Sequence, residues 1–473
     1  MEPSEYSGAR EDRVAIWGRI VVVGSRPGCM KSQGHAIDAA NASVAGQMSI
    51  GKTDPRPAKV TLIRYIRPML ATDRLSMRQV LICGAAVVWL SMGIRHGFGL
   101  WLQPITQAQG WTRETFAFAL AIQNLAWGVF GVFAGMMADR FGASRVLIVG
   151  ALLYALGLAG MALSTTPLLF ALTAGVLIGA AQAGTTYAVI YGVIGRQVDP
   201  ARRSWAMGMA AAAGSFGQFM MVPVEGFLIS GIGWQQSLLA LAALSLLIVP
   251  LSFGLREPGF GGGTAPHREQ TIAQALREAF KYPSFQLLMA GYFVCGFQVV
   301  FIGVHMPSYL KDKGLSPQVA SYALALIGLF NIFGTYLAGT LGQKLAKRKI
   351  LAFIYLARAV AIAVFLWAPL TPMSVYVFSA VMGLLWLSTV PPTNATVAQI
   401  FGVAHLSMLG GFVFFSHQVG SFMGVWLGGL LYDRTGSYDI VWYLAIALGV
   451  FAALVNLPVR EAPIRRTPAA QPA

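Results

Sequence analysis

The sequence has 473 residues, of which 56% are apolar or aromatic and only 11% are charged. An average soluble domain carries roughly 25% charged residues, so this composition cannot cover a water-exposed surface of this size. The formal net charge of +16 would suggest nucleic-acid binding in a soluble protein, but its meaning depends on where the basic residues lie. Composition favours a helical bundle in lipid, and we expect the bilayer, not nucleic acid, as partner.

The first 76 residues differ from the rest of the chain. Their longest apolar stretch, Val14–Val23, contains Arg19 and is shorter than the about 20 residues that a membrane-spanning helix needs. We interpret residues 1–76 as a disordered extension or an upstream start, with Met69 or Met77 as the alternative start.

Gly46–Thr53 in this extension matches the spacing of a phosphate-binding loop. Such a loop must open a helix, whereas Asp54–Pro57 follows here with two prolines. We therefore expect no nucleotide. No other cofactor or metal site is indicated, since the three cysteines, Cys29, Cys83 and Cys295, lack metal-ligand spacing.

Twelve apolar runs are long enough to cross a hydrocarbon core of about 30 Å. In chain order, the predicted spans 1–12 are 79–104, 115–137, 146–164, 167–195, 205–230, 234–254, 284–309, 318–342, 349–368, 373–402, 406–431 and 439–458.

These spans form two sets of six. The expected organisation is a six-helix bundle at 77–255, a linker at 256–283 with one amphipathic helix, Thr271–Phe280, a second bundle at 284–458 and a tail at 459–473. A shift of 204 positions carries Gly99 onto Gly303 and Gly110 onto Gly314, which indicates that the second set repeats the first. Two like-oriented repeats are typical of transporters with a binding site between the halves.

Basic residues are retained on the cytoplasmic side of a membrane, so their positions predict orientation. With the residues before span 1 placed inside, twenty Lys and Arg residues from Arg64 onward fall inside and four fall outside: Arg113, Lys311, Lys313 and Arg434. We therefore expect a multi-pass protein of the cytoplasmic membrane with both termini in the cytoplasm.

The loop after span 2 has a distinctive order of residues: Gly135, Asp139, Arg140, Gly142 and Arg145. Glycine permits a tight turn, and the Asp between basic residues can pair with a neighbouring helix end. This spacing resembles the signature loop of the major facilitator superfamily. The resemblance implies an all-α membrane protein of twelve helices in two bundles, in which this loop takes part in conformational change.

Within that superfamily the chain resembles bacterial relatives of the monocarboxylate transporters and the oxalate/formate antiporters. The likeness lies in Gly93–Arg95 of span 1, Ala213–Gln218 of span 5, Ser416–Phe422 of span 11 and Tyr432–Tyr438 after it. It implies small organic anions moved with protons or by exchange. Those families place an arginine in helix 8, whereas Leu324–Gly339 here contains no basic residue, so the substrate stays open.

Charged residues within spans are costly in lipid and mark the interior of a bundle. Arg95 in span 1 could bind a carboxylate through two parallel hydrogen bonds, or it could pair with backbone. His417, near the middle of span 11, could bind an anion when protonated, or it could be a core histidine bonded to Gln418 or Tyr432.

Two further titratable residues, Glu225 and His305, fall near the outer ends of their helices. An interfacial position is cheap there, and we regard both, with His417, as gate or proton-pathway candidates. Arg358 in span 9 is expected to pair structurally. The remaining candidates for substrate contact, each equally able to form an ordinary interhelical hydrogen bond, are Gln182, Tyr187, Tyr191, Gln298, Asn331, Trp386 and Asn394.

The sequence thus predicts a monomeric secondary transporter of a small solute, with an organic anion such as a monocarboxylate as first choice. An exporter of another hydrophobic or drug-like compound and a non-transporting membrane sensor remain as alternatives. A membrane enzyme is disfavoured, because the chain has neither HExxH nor GxSxG and no cluster of His with carboxylates.

Overall fold

The computed structural model describes residues 75–199, 202–257, 271–402 and 406–464, and every element in these ranges is helical. The expectations for the N-terminal extension, including Met69 and the Gly46–Thr53 pattern, lie outside the described residues. The membrane-spanning helices are α1 Met77–Gln109, α2 Arg113–Phe141, α3 Ala143–Leu163, α4 Pro167–Gln197, α5 203–232, α6 234–253, α7 Pro283–Asp312, α8 Pro317–Lys344, α9 Lys347–Trp367, α10 Pro372–Phe401, α11 Leu406–Thr435 and α12 Asp439–Asn456.

Twelve helices match the twelve predicted spans. By length and hydropathy, ten helices in the described part of the chain could cross a membrane, and one of them, Trp205–Phe253, contains both spans 5 and 6. These two are separated at Gly233, whose φ of 82° and ψ of 163° interrupt the helix. The remaining helix is the 30-residue Leu406–Thr435. The largest difference in an end is at span 1, which reaches Gln109 because Phe98–Trp101 continue it as 3₁₀-helix.

Helix ends follow local signals in the sequence. Gly110 and Gly314, which the shift of 204 superimposes, both adopt positive φ, at 66° and 84°, in the turns after α1 and α7. In the linker, Thr271 closes a capping box with Gln274 and starts a helix at Ile272–Lys281, close to the predicted Thr271–Phe280.

Hydrogen bonds between helix ends define two ends of the bundle. At the linker end, Gln79 donates to the Gly254 carbonyl, joining the start of α1 to the end of α6. At the opposite end, Gln109 donates to the Ser164 carbonyl, joining the end of α1 to the end of α3. The chain therefore runs alternately up and down, as successive membrane crossings require.

Helices α4 and α10 are both broken, at equivalent positions of the two repeats. α4 leaves helical geometry at Thr186, and α10 is interrupted between Leu385 and Val390. The buried Arg358 donates to the freed carbonyls of Leu385 and Trp386, which confirms the structural pairing expected for it. Broken helices are tolerated inside a bundle when the freed backbone groups find partners.

The two halves, α1–α6 and α7–α12, pack closely at the opposite end. A Cβ added at Gly99 would lie 2.3 Å from the Gly303 carbonyl oxygen, and one at Gly429 would lie 2.8 Å from Cα of Glu114. Towards the linker end, by contrast, a Cβ at Gly131 of α2 or Gly411 of α11 would meet no atom within 4 Å. These close approaches of backbone between the halves thus lie at the opposite end.

Candidate functional site at the centre of the bundle

Arg95 lies on α1 with its guanidinium turned towards other helices of its own half. Its Nε donates to Gln182 Oε1 of α4 at 3.2 Å, and its Nη2 donates to Asn124 Oδ1 of α2. The guanidinium carbon lies 4.7 Å from the ring centre of Trp127, also on α2. These contacts are neutral, so the positive charge of Arg95 is held in place without being cancelled by them.

A chain of aromatic contacts joins this arginine to the other half. Trp127 meets Phe414 of α11 edge to face, with ring centres 5.3 Å apart. Phe414 stacks on His417 at 5.9 Å with an interplanar angle of 9°, and Tyr292 of α7 lies 5.0 Å from His417 on another side. Arg95 and His417, predicted separately, therefore belong to one arrangement that spans both halves.

Two glutamines complete this arrangement, each with a free amide group. Gln182 accepts from Arg95, so its oxygen is engaged and its Nε2 has no hydrogen-bond partner among the described residues. Gln418 places Oε1 3.1 Å from His417 Nδ1, and its Nε2 likewise has no partner there. We call the set of these residues the central cluster: Arg95, Asn124, Trp127, Gln182, Tyr292, Phe414, His417 and Gln418.

Buried amide nitrogens without acceptors are costly, because a lost hydrogen bond is not regained from solvent. One such donor belongs to Gln182, which contacts the Arg95 guanidinium, and the other to Gln418, which contacts His417, so the central cluster is rich in donors and poor in acceptors. This imbalance suits a ligand that brings its own acceptor oxygens, such as a carboxylate.

The other polar residues predicted for the site have different neighbours. Asn331 donates to Ser215 Oγ at 2.9 Å across the halves and accepts from the Leu387 amide. Gln298 donates to the Ala445 carbonyl and accepts from Arg358, both within the second half. Asn394 is exposed and donates to the carbonyl one turn earlier in α10.

Two aromatic candidates lie at the broken helices. Tyr187 and Tyr191, just after the break in α4, contact each other with tilted rings whose centres are 5.6 Å apart, and the Tyr187 hydroxyl lies against Gly214 of α5. Trp386 is buried at the break in α10, and its indole nitrogen has no partner among the described residues.

Glu225 and His305 are both fully buried in protein, and their role as gate or proton-pathway residues stays a prediction. Helix ends at the opposite end are covered by the contact between the halves, which hydropathy alone cannot reveal. His305 lies 2.8 Å from the Val425 carbonyl through Nε2 and 3.2 Å from the Tyr438 hydroxyl through Nδ1. Neither carboxylate oxygen of Glu225 has a hydrogen-bond partner among the described residues.

The loop after α2 forms the expected tight turn. Gly142 adopts a φ of 90° between the end of α2 and the start of α3. Arg140 and Arg145 are exposed, and a Cβ at Gly135 would meet no atom within 4 Å. The side chain of Asp139 lies outside the described part of the structure.

A group of polar contacts that was not predicted from the sequence joins the halves at the opposite end. We call its residues, Arg113, Asp312, Tyr432 and Asp433, the polar lock. Arg113 of α2 forms a bidentate ion pair with Asp312 of α7, at 2.6 and 2.7 Å, and stacks 3.8 Å above the Tyr432 ring. Asp433 accepts from the backbone amides of Arg113 and Glu114, so a residue of α11 caps the N-terminus of α2. The Tyr432–Tyr438 segment had indicated a family likeness, and these contacts give it a structural role.

Sequence reasoning also missed Asn124, Trp127 and Phe414. Asn124 and Trp127 could have been noticed, because they are polar or amphipathic residues in the middle of a 29-residue apolar helix. No group of three or more metal-ligating side chains occurs within the described residues. Two described surface cavities lie elsewhere, one between α9 and α12 and one beside the linker helix.

Comparison with known proteins agrees with this architecture. The family model described as Major Facilitator Superfamily matches residues 81–406. The Bacillus subtilis (strain 168) protein named Uncharacterized MFS-type transporter YcxA is 24% identical over 384 residues, covering 77% of this chain and 90% of its own. Monocarboxylate transporter 13 of Rattus norvegicus is 26% identical over 342 residues, covering 68% and 75%. Monocarboxylate transporter 11 of Mus musculus is 27% identical over 373 residues, covering 75% and 80%.

Solved structures share the fold. A bacterial homolog of the human lysosomal transporter Spinster, in an inward-facing and unoccupied conformation, superimposes with a TM-score of 0.64 at 17% identity, covering 83% of this chain and 99% of its own. A D-xylose-proton symporter gives a TM-score of 0.63 at 17% identity, covering 81% and 98%. Because the family model spans more than half of the sequence and the twelve helices form the corresponding fold, the chain belongs to the Major Facilitator Superfamily, whose members named above are transporters.

Proposed function

We propose that this protein, a multi-pass secondary transporter of a small solute, carries a small organic anion of the monocarboxylate kind. The central cluster supports the proposal most directly: Arg95 is held by neutral partners, and the amide nitrogens of Gln182 and Gln418 lack acceptors. A carboxylate supplies two acceptor oxygens and one negative charge, which together satisfy this set of donors.

In this proposal the carboxylate binds Arg95, and the imidazole of His417 on the other half contributes a second contact. A ligand that touches both halves favours the conformations in which they approach, which is how binding is converted into alternating access. The aromatic residues Trp127, Phe414 and Tyr292 would pack on the organic part of the anion. The remaining predicted residues, namely Tyr187, Tyr191, Gln298, Asn331, Trp386 and Asn394, stay proposed contributors.

The orientation is also a proposal. The linker end carries the excess of basic residues, so we place it in the cytoplasm of a cell with the chain in its cytoplasmic membrane. The described conformation then faces inward. The similarity to monocarboxylate transporters supports the anion, and proton coupling or exchange would supply the driving force.

The test is counterflow in proteoliposomes that contain the full chain and labelled lactate, pyruvate or oxalate, measured at two pH values. We expect saturable counterflow of at least one anion, reduced at least about tenfold in Arg95→Ala and His417→Ala with normal membrane insertion. Arg277→Ala, which changes an exposed arginine of the linker helix outside the cluster, is the matched control. Counterflow that is unchanged in Arg95→Ala would overturn the anion-binding role, and export of an uncharged drug-like compound without anion flux would favour the alternative.

A further inference from the structure

Glu225 is a fully buried acidic side chain that belongs neither to the central cluster nor to the polar lock. It is 0% exposed, and neither carboxylate oxygen has a hydrogen-bond partner among the described residues. Asp312 and Glu257, in contrast, pair with Arg113 and Arg196. An isolated carboxylate in a low-dielectric interior is very costly, whereas the neutral acid is not, so this site favours a carboxyl that carries a proton.

The carboxyl lies directly against α1. A Cβ added at Gly97 would fall 1.3 Å from Glu225 Oε2, so only glycine leaves room for the carboxyl there. Gly97 is also where α1 changes from α-helix to the 3₁₀ turn Phe98–Trp101. Gly97, a small residue at a change of helix geometry, thus makes room for the Glu225 carboxyl.

The charged and titratable groups on the helices around Glu225 form hydrogen bonds with residues other than Glu225. On α1, Arg95 binds Gln182 and Asn124, and His96 binds the Met92 carbonyl through Nδ1 at 2.6 Å. On α3, Tyr154 donates to the Ser91 carbonyl. From α8 of the other half, the neutral Ser321 faces the next residue, Gly226, and donates to the Val222 carbonyl.

Glu225 is enclosed between two contacts that join the halves. Next to it in sequence, a Cβ at Gly226 would lie 2.9 Å from Ser321 Oγ of α8. Gly99, two residues after Gly97 on α1, lies close to the Gly303 carbonyl of α7. Separation of the halves at the opposite end would break both contacts and admit water to the carboxyl.

We propose that Glu225 is a proton-binding site whose access to solvent is controlled by closure of the opposite end. The inference rests on the proposed anion transport and adds the coupling residue. While the opposite end is open, the hydrated carboxylate takes up one proton from that side and forms a neutral carboxyl group. Closure buries it. Release breaks the O–H bond and passes the same proton to water that enters from the linker end, in a conformation other than the described one, in which Glu225 is 0% exposed; one proton thus accompanies the anion and no other reactant is consumed.

The first experiment needs no transported anion. The full chain in proteoliposomes is treated at pH 7 with dicyclohexylcarbodiimide, an apolar reagent that modifies protonated carboxyl groups, and the modified residue is identified by mass spectrometry. We expect modification at Glu225 in the wild type. At pH 8, Glu225 in Gly99→Ala, in which closure of the two halves on the carboxyl is hindered, should be modified at least about fivefold more weakly than in the wild type at the same pH. Absence of modification at Glu225 while other carboxyl groups react would overturn the proposal.

The second experiment measures coupling. With the anion that gives the fastest counterflow among lactate, pyruvate and oxalate, we compare uptake driven by a pH gradient with counterflow at equal pH. In Glu225→Gln the ratio of the two should fall at least about tenfold, while Glu278→Gln in the linker leaves it unchanged. A wild-type ratio in Glu225→Gln would overturn the coupling role. Absence of counterflow in the wild type would instead overturn the proposed anion transport, and the carbodiimide result would still decide whether Glu225 holds a proton.

Discussion

Charged contacts at the opposite end join the two halves, whereas at the linker end the ion pairs of Arg196 with Glu257 and of Lys347 with Glu461 each lie beside one half. Arg113 and Asp312 belong to different halves, as do Asp433 and the α2 N-terminus. At the linker end, Arg196 pairs with Glu257 beside the first half, at 2.9 Å. An end held by internal contacts can part without losing an ion pair, so opening the opposite end is the step that must break strong interactions.

The largest effect should come from preventing closure of the opposite end. In Gly99→Ala the new Cβ would lie 2.3 Å and 2.8 Å from the backbone oxygens of Gly303 and Val304, which cannot move as a flexible side chain does. Overpacking of this kind costs about 1–3 kcal/mol, so we expect uptake to fall at least about fivefold. Gly131→Ala towards the linker end, where nothing lies within 4 Å, is the matched control. Equal transport by both variants would contradict the comparison.

Next in size is removal of the ion pair. Arg113→Ala deletes the bidentate bond to Asp312 and the stacking on Tyr432, in a pair whose side chains are 14% and 26% exposed. We expect a loss of about 1–2 kcal/mol, which changes the ratio of closed to open forms about five- to thirtyfold. The readout is the maleimide labelling rate of Gly303→Cys, at a position with room for the side chain, which should rise by that factor. An unchanged rate would show that the pair does not hold the end closed.

A smaller shift is expected from the helix cap. Asp433→Ala removes the acceptor for the amides of Arg113 and Glu114, and loss of a cap costs about 1 kcal/mol. The labelling rate of Gly303→Cys should therefore rise about fivefold. Asp433→Asn, which retains an acceptor oxygen, should stay within about twofold of the wild type. A larger effect for Asn than for Ala would argue against capping.

The smallest effect on the ratio of closed to open forms of the opposite end should come from a substitution at the linker end. Glu257→Gln weakens the pair with Arg196, which lies wholly on one side of the interface. We expect the labelling rate to change less than about twofold, with a melting temperature lower by about 2–4 °C. A change in the labelling rate as large as that caused by Arg113→Ala would contradict the comparison, because it would mean that the Arg196–Glu257 pair also affects contact between the halves.

The membrane fold was readable from the sequence because hydropathy alone requires it. Every predicted span has a helix, and the repeat shows again in the breaks of α4 and α10 and in the positive φ of Gly110 and Gly314. Orientation relative to the cell stays a prediction, since helices alone do not distinguish the two sides.

The central cluster could be predicted from the sequence only in part. Arg95 and His417 stood out because ionisable residues are rare in spans. Their joining through Trp127 and Phe414 depends on which faces of α2 and α11 meet, and an apolar helix gives little sign of that. Glu225 was expected near an interface because its depth along α5 was known and the covering helices were not. The contacts of Asp433 across the halves join residues 320 and 319 positions apart and have no local signal.

The most direct test of the account is a distance measurement across the linker end in response to an anion. Spin labels at Gly131→Cys of α2 and Gly411→Cys of α11, in a chain without Cys29, Cys83 and Cys295, would report the separation of the halves by double electron–electron resonance. We predict that lactate, pyruvate or oxalate, whichever gives counterflow, produces a shorter-distance population in this background, and that Arg95→Ala abolishes the change. A distance distribution that none of these anions alters, or that responds equally in Arg95→Ala, would contradict alternating access around a carboxylate bound at the central cluster.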